Sequence, residues 1–62
     1  MGEAICALRH NHGMTQEQLA KLIGVTQQYI QLIESGKRKP TIELVKKIAS
    51  ALGVTVSDLV GG

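Results

Sequence analysis

Apolar residues return every three or four positions along most of the 62-residue chain, and the breaks in that rhythm divide it into five helices. Between Glu3 and His12 the apolar side is a narrow stripe of Ala4, Ile5 and Leu8, with Cys6 and His10 turned away from it. Leu19, Ala20, Leu22 and Ile23 share a face of a second helix, and Tyr29, Ile30 and Ile33 form one side of a third. The fourth is broadly apolar through Ile42, Leu44, Val45, Ile48, Ala49, Ala51 and Leu52, while Glu43, Lys46, Lys47 and Ser50 cover its other side. Val56, Leu59 and Val60 mark a short fifth, and Gly61 and Gly62 read as a loose end.

The helix ends carry their own signals. Thr15 with Gln18, and Thr55 with Asp58, have capping-box spacing; Thr26 and Thr41 are single N-caps; Gly24, Gly36 and Gly53 stand where a left-handed residue closes a helix. Pro40 disfavours helix at Lys39 and separates the third helix from the fourth. Residues 23–26 (IGVT) and 52–55 (LGVT) mark two junctions of the same kind. The prediction is an all-α, compact five-helix bundle with helices over about 3–12, 16–23, 27–35, 42–52 and 56–60.

The second and third helices meet at a corner too short to let them move independently, so residues 15–36 form one unit. The third helix has an unusual polar side: Gln27, Gln28, Gln31 and Ser35, with Leu32 at the edge and no charge at the centre. A solvated face more often carries Lys and Glu, which favour helix and form ion pairs. A glutamine amide offers a donor and an acceptor that match adenine N6 and N7 in the major groove, and a leucine packs on a thymine methyl. Gln27, Gln28, Gln31 and Leu32 are therefore candidate base readers. Glutamines are also adequate helix formers, and on this face alone a merely hydrated surface stands equally well.

Length and charge narrow the choice. A single domain of this size, residues 1–62, buries only about 60% of its unfolded surface, which leaves little room for an enclosed substrate pocket. Tyr29 is the one aromatic residue, so the core must come from Ile, Leu, Val and Ala. Net charge is +2, but Lys37, Arg38, Lys39, Lys46 and Lys47 all fall in the second half. Lys37, Arg38 and Lys39 lie just after the third helix and suit phosphate contact, although basic loops are often only hydrated. Gln16 opens the second helix, where unpaired N–H groups and the helix dipole favour an anion. Arg9 and Glu34 have lengths and charges suited to pairing across the bundle, or stand as two unrelated surface charges.

Other chemistries find little support. One cysteine cannot form an internal disulfide, no signal peptide or myristoylation signal is visible, and no apolar run nears the roughly 20 residues of a membrane span, so a cytoplasmic setting is expected. Cys6, His10 and His12 are near one another in sequence, but a metal site needs four ligands; an incidental exposed thiol and a histidine at a helix C-terminus are the simpler reading. No nucleophile and base pairing, Gly-rich phosphate loop or cofactor fingerprint is present, so no metal, cofactor or enzymatic activity is expected.

The order Gln16, Leu19, Ala20, Gly24, Val25, Gln27, Ile30, Ile33, Glu34, Gly36, Lys37 resembles the phage repressor and Cro helix-turn-helix family, also known as the XRE type. The likeness extends upstream through Ile5, Leu8 and Arg9 and downstream from Pro40 to Leu59. It implies the lambda-repressor-like fold, binding of double-stranded DNA with the third helix in the major groove, and a role as transcriptional repressor or regulator. It also implies phosphate contacts from Gln16, Thr26, Ser35, Lys37, Arg38 and Lys39, and an Arg9–Glu34 ion pair that positions the recognition helix. Members dock as pairs on half-sites, so a weak homodimer, cooperative on a pseudo-palindromic operator, is expected, with the apolar Leu59 and Val60 as a small contact between copies. Two positions depart from the common pattern: Leu32 stands where many members have a polar or basic base reader, and Ser35 where arginine is frequent. The alternative within the same fold is a protein-interaction or antitoxin-like module, which would need neither the glutamine face nor the basic loop.

Overall fold

Five α-helices and no strand make up the described residues, 1–60, of this computed structural model: α1 Gly2–Asn11, α2 Gln16–Ile23, α3 Gln27–Glu34, α4 Ile42–Leu52 and α5 Val56–Val60. Gly61 and Gly62, read above as a loose end, lie outside the described residues. α1 begins and ends one residue earlier than the pattern predicts, and α3 stops at Glu34 with Ser35 as its C-cap.

Local chemistry sets most boundaries. Thr15 Oγ1 accepts from the Gln18 amide at 3.1 Å while Gln18 Oε1 accepts from the Thr15 amide at 2.8 Å, a closed capping box at the start of α2. Thr55 and Asp58 form the same box before α5, and the hydroxyls of Thr26 and Thr41 cap α3 and α4. Gly24 closes α2 at φ 77°, a left-handed backbone that residues bearing Cβ adopt only under strain, and the chain turns there so that the Val25 amide reaches the Ala20 carbonyl at 3.0 Å.

The helices assemble around one aliphatic core. α2 packs on both α3 and α4, and α1 lies across α3, α4 and α5. Ile5, Leu19, Ile30 and Ile48 are completely buried, with Ile33, Val45, Leu52 and Leu59 nearly so. Each such side chain contributes about 1.5–3 kcal/mol relative to an exposed one.

Three apolar residues depart from expectation. Leu22 is 62% exposed and Ile42 is 67% exposed, because successive residues turn by about 100° and each lies roughly a quarter turn from the centre of its helix's buried side. Leu59, expected at a contact between copies, is 2% exposed and belongs to the core, which leaves Val60, at 52%, as the exposed member of that pair. A closer helix contact than the pattern suggests occurs at Gly2: a Cβ there would lie 2.5 Å from the Ile33 carbonyl oxygen and 2.7 Å from that of Glu34. Only a residue without a side chain lets the start of α1 rest against the end of α3.

Candidate nucleic-acid interface

α3 turns its apolar side inward through Ile30 and Ile33, and that anchoring sends Gln27, Gln28 and Gln31 out to solvent. None of the three amides makes a hydrogen bond among the described residues, so their donors and acceptors are unspent. Leu32, 37% exposed, borders them. The four candidate base readers thus share one face of one rigid helix.

The basic loop is fastened to the end of that helix. The Gly36 amide reaches the Ile33 carbonyl at 3.1 Å and the Lys37 amide reaches that of Leu32 at 3.0 Å, a Schellman closure completed by Gly36 at φ 81°. Leu32 O also accepts from the Arg38 amide at 3.2 Å and from the Ser35 hydroxyl at 3.1 Å. Lys37, Arg38 and Lys39 are all exposed, and the Arg38 guanidinium lies 5.5 Å from the centre of the Tyr29 ring. Ser35, expected at a phosphate, is exposed and here donates its hydroxyl to the Leu32 carbonyl of its own helix. The Thr26 oxygen accepts from the Tyr29 amide at 3.1 Å, and its O–H remains available as a donor.

Arg9 and Glu34 meet between α1 and α3. Arg9 Nε donates to Glu34 Oε2 at 2.7 Å and Nη2 donates to Oε1 at 3.0 Å, a bidentate pair whose side chains are 7% and 6% exposed. Burial by itself would raise the Glu34 carboxyl, but the hydrogen bonds from Arg9 and Gln16 hold it below its ordinary range. The remaining Arg9 nitrogen, Nη1, donates to the Met14 carbonyl at 2.8 Å. Cys6 is not the exposed thiol expected from the wheel: it is half-buried with Sγ 3.7 Å from Arg9 Nη2, because Arg9 folds back over its own helix to reach α3. His12 turns Nδ1 to the Leu8 carbonyl at 2.8 Å, while His10 stays exposed.

Two relationships here had no signal in the sequence. Gln16 Nε2 donates to Glu34 Oε1 at 3.1 Å across 18 positions, and Tyr29 supports a cation nine residues on in the loop. Both arise where two segments come together in space, which periodicity does not report.

The family model described as helix-turn-helix matches residues 7–59. An uncharacterized HTH-type transcriptional regulator of Sinorhizobium fredii is 38% identical over 60 residues, covering 97% of this chain and 78% of the relative. The immunity repressor protein of Bacillus phage phi105 is 34% identical over 61 residues, which are 98% of this chain and 42% of that repressor. Among solved structures, SinR, a master regulator for biofilm formation in complex with DNA, matches with a TM-score of 0.90 at 30% identity, covering 97% of this chain and 100% of that chain.

Proposed function

The chain belongs to the XRE-type helix-turn-helix family of transcriptional regulators, and from that premise we propose that it binds duplex DNA sequence-specifically with α3 in the major groove and represses transcription by occupying its site. The observation that carries the proposal is the pairing of three unspent glutamine amides with a basic loop fixed to the same helix. Gln27, Gln28, Gln31 and Leu32 read bases. Lys37, Arg38 and Lys39, with Thr26 and the start of α2 at Gln16, hold the backbone on either side.

Site selection by one such helix covers few base pairs, so two copies act on a pseudo-palindromic site. With Leu59 in the core, the free chain offers Val60 alone from that pair, and the pairing energy comes cooperatively on DNA. No helix among the described residues is long and apolar enough to cross a membrane, and the protein works where DNA is, in the cytoplasm. The reading is of a binding protein and not an enzyme.

Selection from a random duplex pool, followed by titration and sedimentation on the enriched sequence, tests this. The expected result is enrichment of a two-fold related sequence bound by two copies. Recovery of an unenriched pool would leave an interaction module as the better reading.

A further inference from the structure

The start of α2 is held on both sides by one buried ion pair. Arg9 Nη1 fixes the Met14 carbonyl, just ahead of the helix, at 2.8 Å, and Glu34 Oε1 accepts from Gln16 Nε2, in its first turn, at 3.1 Å. The Glu34 carboxylate thus takes three donors, two from Arg9 and one from Gln16.

We propose that Glu34 is the positioning residue of the α2 phosphate contact: it fixes the Gln16 amide so that the second N–H of Nε2 is presented to a DNA phosphate. The inference rests on the DNA-binding reading above. A primary amide nitrogen carries two protons, and Glu34 takes one of them. The carboxylate cannot meet a phosphate itself, since like charges repel; the neutral amide bridges the two anions, and Arg9 balances the carboxylate charge so that its field does not drive the phosphate off. Free glutamine side chains rotate about three bonds, and one already held at its tip loses less freedom when it binds. Because Glu34 ends α3, the helix that reads bases also sets the phosphate contact of its neighbour, and both are placed in one register.

The test is a scan of single methylphosphonates, which remove one phosphate charge at a time, along the duplex recovered by selection. The parent chain should lose about tenfold in affinity at the phosphate facing α2. Gln16→Ala should reduce the sensitivity at that position to what the unpaired backbone N–H groups of α2 retain, and leave the positions facing Lys37, Arg38 and Lys39 unchanged. So should the double variant Arg9→Met with Glu34→Met, in which both charges leave together and no buried ion is stranded. A purely structural role would weaken every position alike.

A Gln16→Ala profile identical to the parent's overturns the inference, as does a folded double variant that keeps full sensitivity. If the double variant does not fold, nitrogen-15 relaxation of the Gln16 side-chain amide in the parent decides: an order parameter near the rigid backbone value of about 0.85 supports the inference, and one below about 0.6 overturns it. Binding with an unaltered profile overturns this inference alone, whereas loss of all duplex binding by the parent overturns the DNA reading and the inference with it.

Discussion

The Arg38 guanidinium rests 5.5 Å from the centre of the Tyr29 ring, so the loop cation is steered by an aromatic residue of α3 itself. Tyr29 is half-buried and held by the core, while Arg38 is exposed and has its amide tied to Leu32 O. Tyr29→Leu should therefore weaken binding to preferred and random duplexes by similar, few-fold factors, and Tyr29→Phe should restore it, because the ring face and not the hydroxyl meets the cation. Equal loss in the two variants would assign the effect to the hydroxyl.

Gln28→Ala should weaken binding to the preferred duplex by about 1–3 kcal/mol and leave random duplex nearly unchanged, since this exposed amide has no partner among the described residues and the proposed contact it loses is to a base. Titration against both duplexes checks this. The same loss on both would make Gln28 a backbone contact.

Joint replacement of Lys37, Arg38 and Lys39 by alanine removes three cations from one loop. Binding to all duplexes should fall together, and the slope of log affinity against log salt should drop by up to about three units. A slope equal to the parent's would put the loop in solvent in the complex.

Gly2 and Gly24 should both resist substitution, for different reasons. At Gly2 a Cβ meets backbone oxygens that cannot swing aside, so Gly2→Ala should cost about 1–3 kcal/mol as α1 shifts away from α3. At Gly24 nothing lies within 4 Å, and the cost of Gly24→Ala is left-handed strain alone, about 1–2 kcal/mol, with Gly24→Val worse. Gly24→Asn should recover part of that loss, since asparagine tolerates this backbone, whereas Gly2→Asn should recover none. Each kcal/mol lowers the melting temperature by about 4–8 °C in a domain of this size. No difference between Asn and Ala at Gly24 would contradict the assignment to strain.

Glu34 should make stability fall in acid. Its carboxyl is held below its ordinary range in the folded chain, so the unfolded chain binds the proton first as pH drops. The contribution of the pair is complete at neutral pH and is lost from about pH 5 downward through the folded value. Denaturation midpoints should follow that course in the parent and flatten in the Arg9→Met, Glu34→Met variant. A residual slope should remain from Asp58, which the Thr55 amide and hydroxyl also hold below its usual range. Parallel curves for parent and variant would remove Glu34 from the account.

The sequence was most informative where a feature is completed within a few residues. Thr15 and Gln18 are three apart, and their capping box needs no knowledge of the rest of the fold. Gln27, Gln28 and Gln31 could be placed outside because Ile30 and Ile33 fix the inward side of the same helix. Leu22, Ile42 and Leu59 could not be sorted in this way, since an apolar residue beside a buried stripe is covered only if another helix happens to reach it. The bond from Gln16 to Glu34 and the seat of Gly2 against α3 are equally invisible, being properties of the packed bundle. The bond from the Ser35 hydroxyl back to Leu32 O is likewise a matter of rotamer, which residue type does not report.

The Leu32 carbonyl, with its three donors, also determines how the protein opens in its native state. The amides of Lys37 and Arg38 sit in an exposed loop, where hydrogen exchange is ordinarily fast, yet both are tied to the last turn of α3. They can exchange only when that turn frays, so their protection should rise and fall with that of the α3 C-terminus and not with the flanking loop residues. The basic loop and the end of α3 thus form one cooperative opening unit. A partner that stiffens either one slows solvent access to the other.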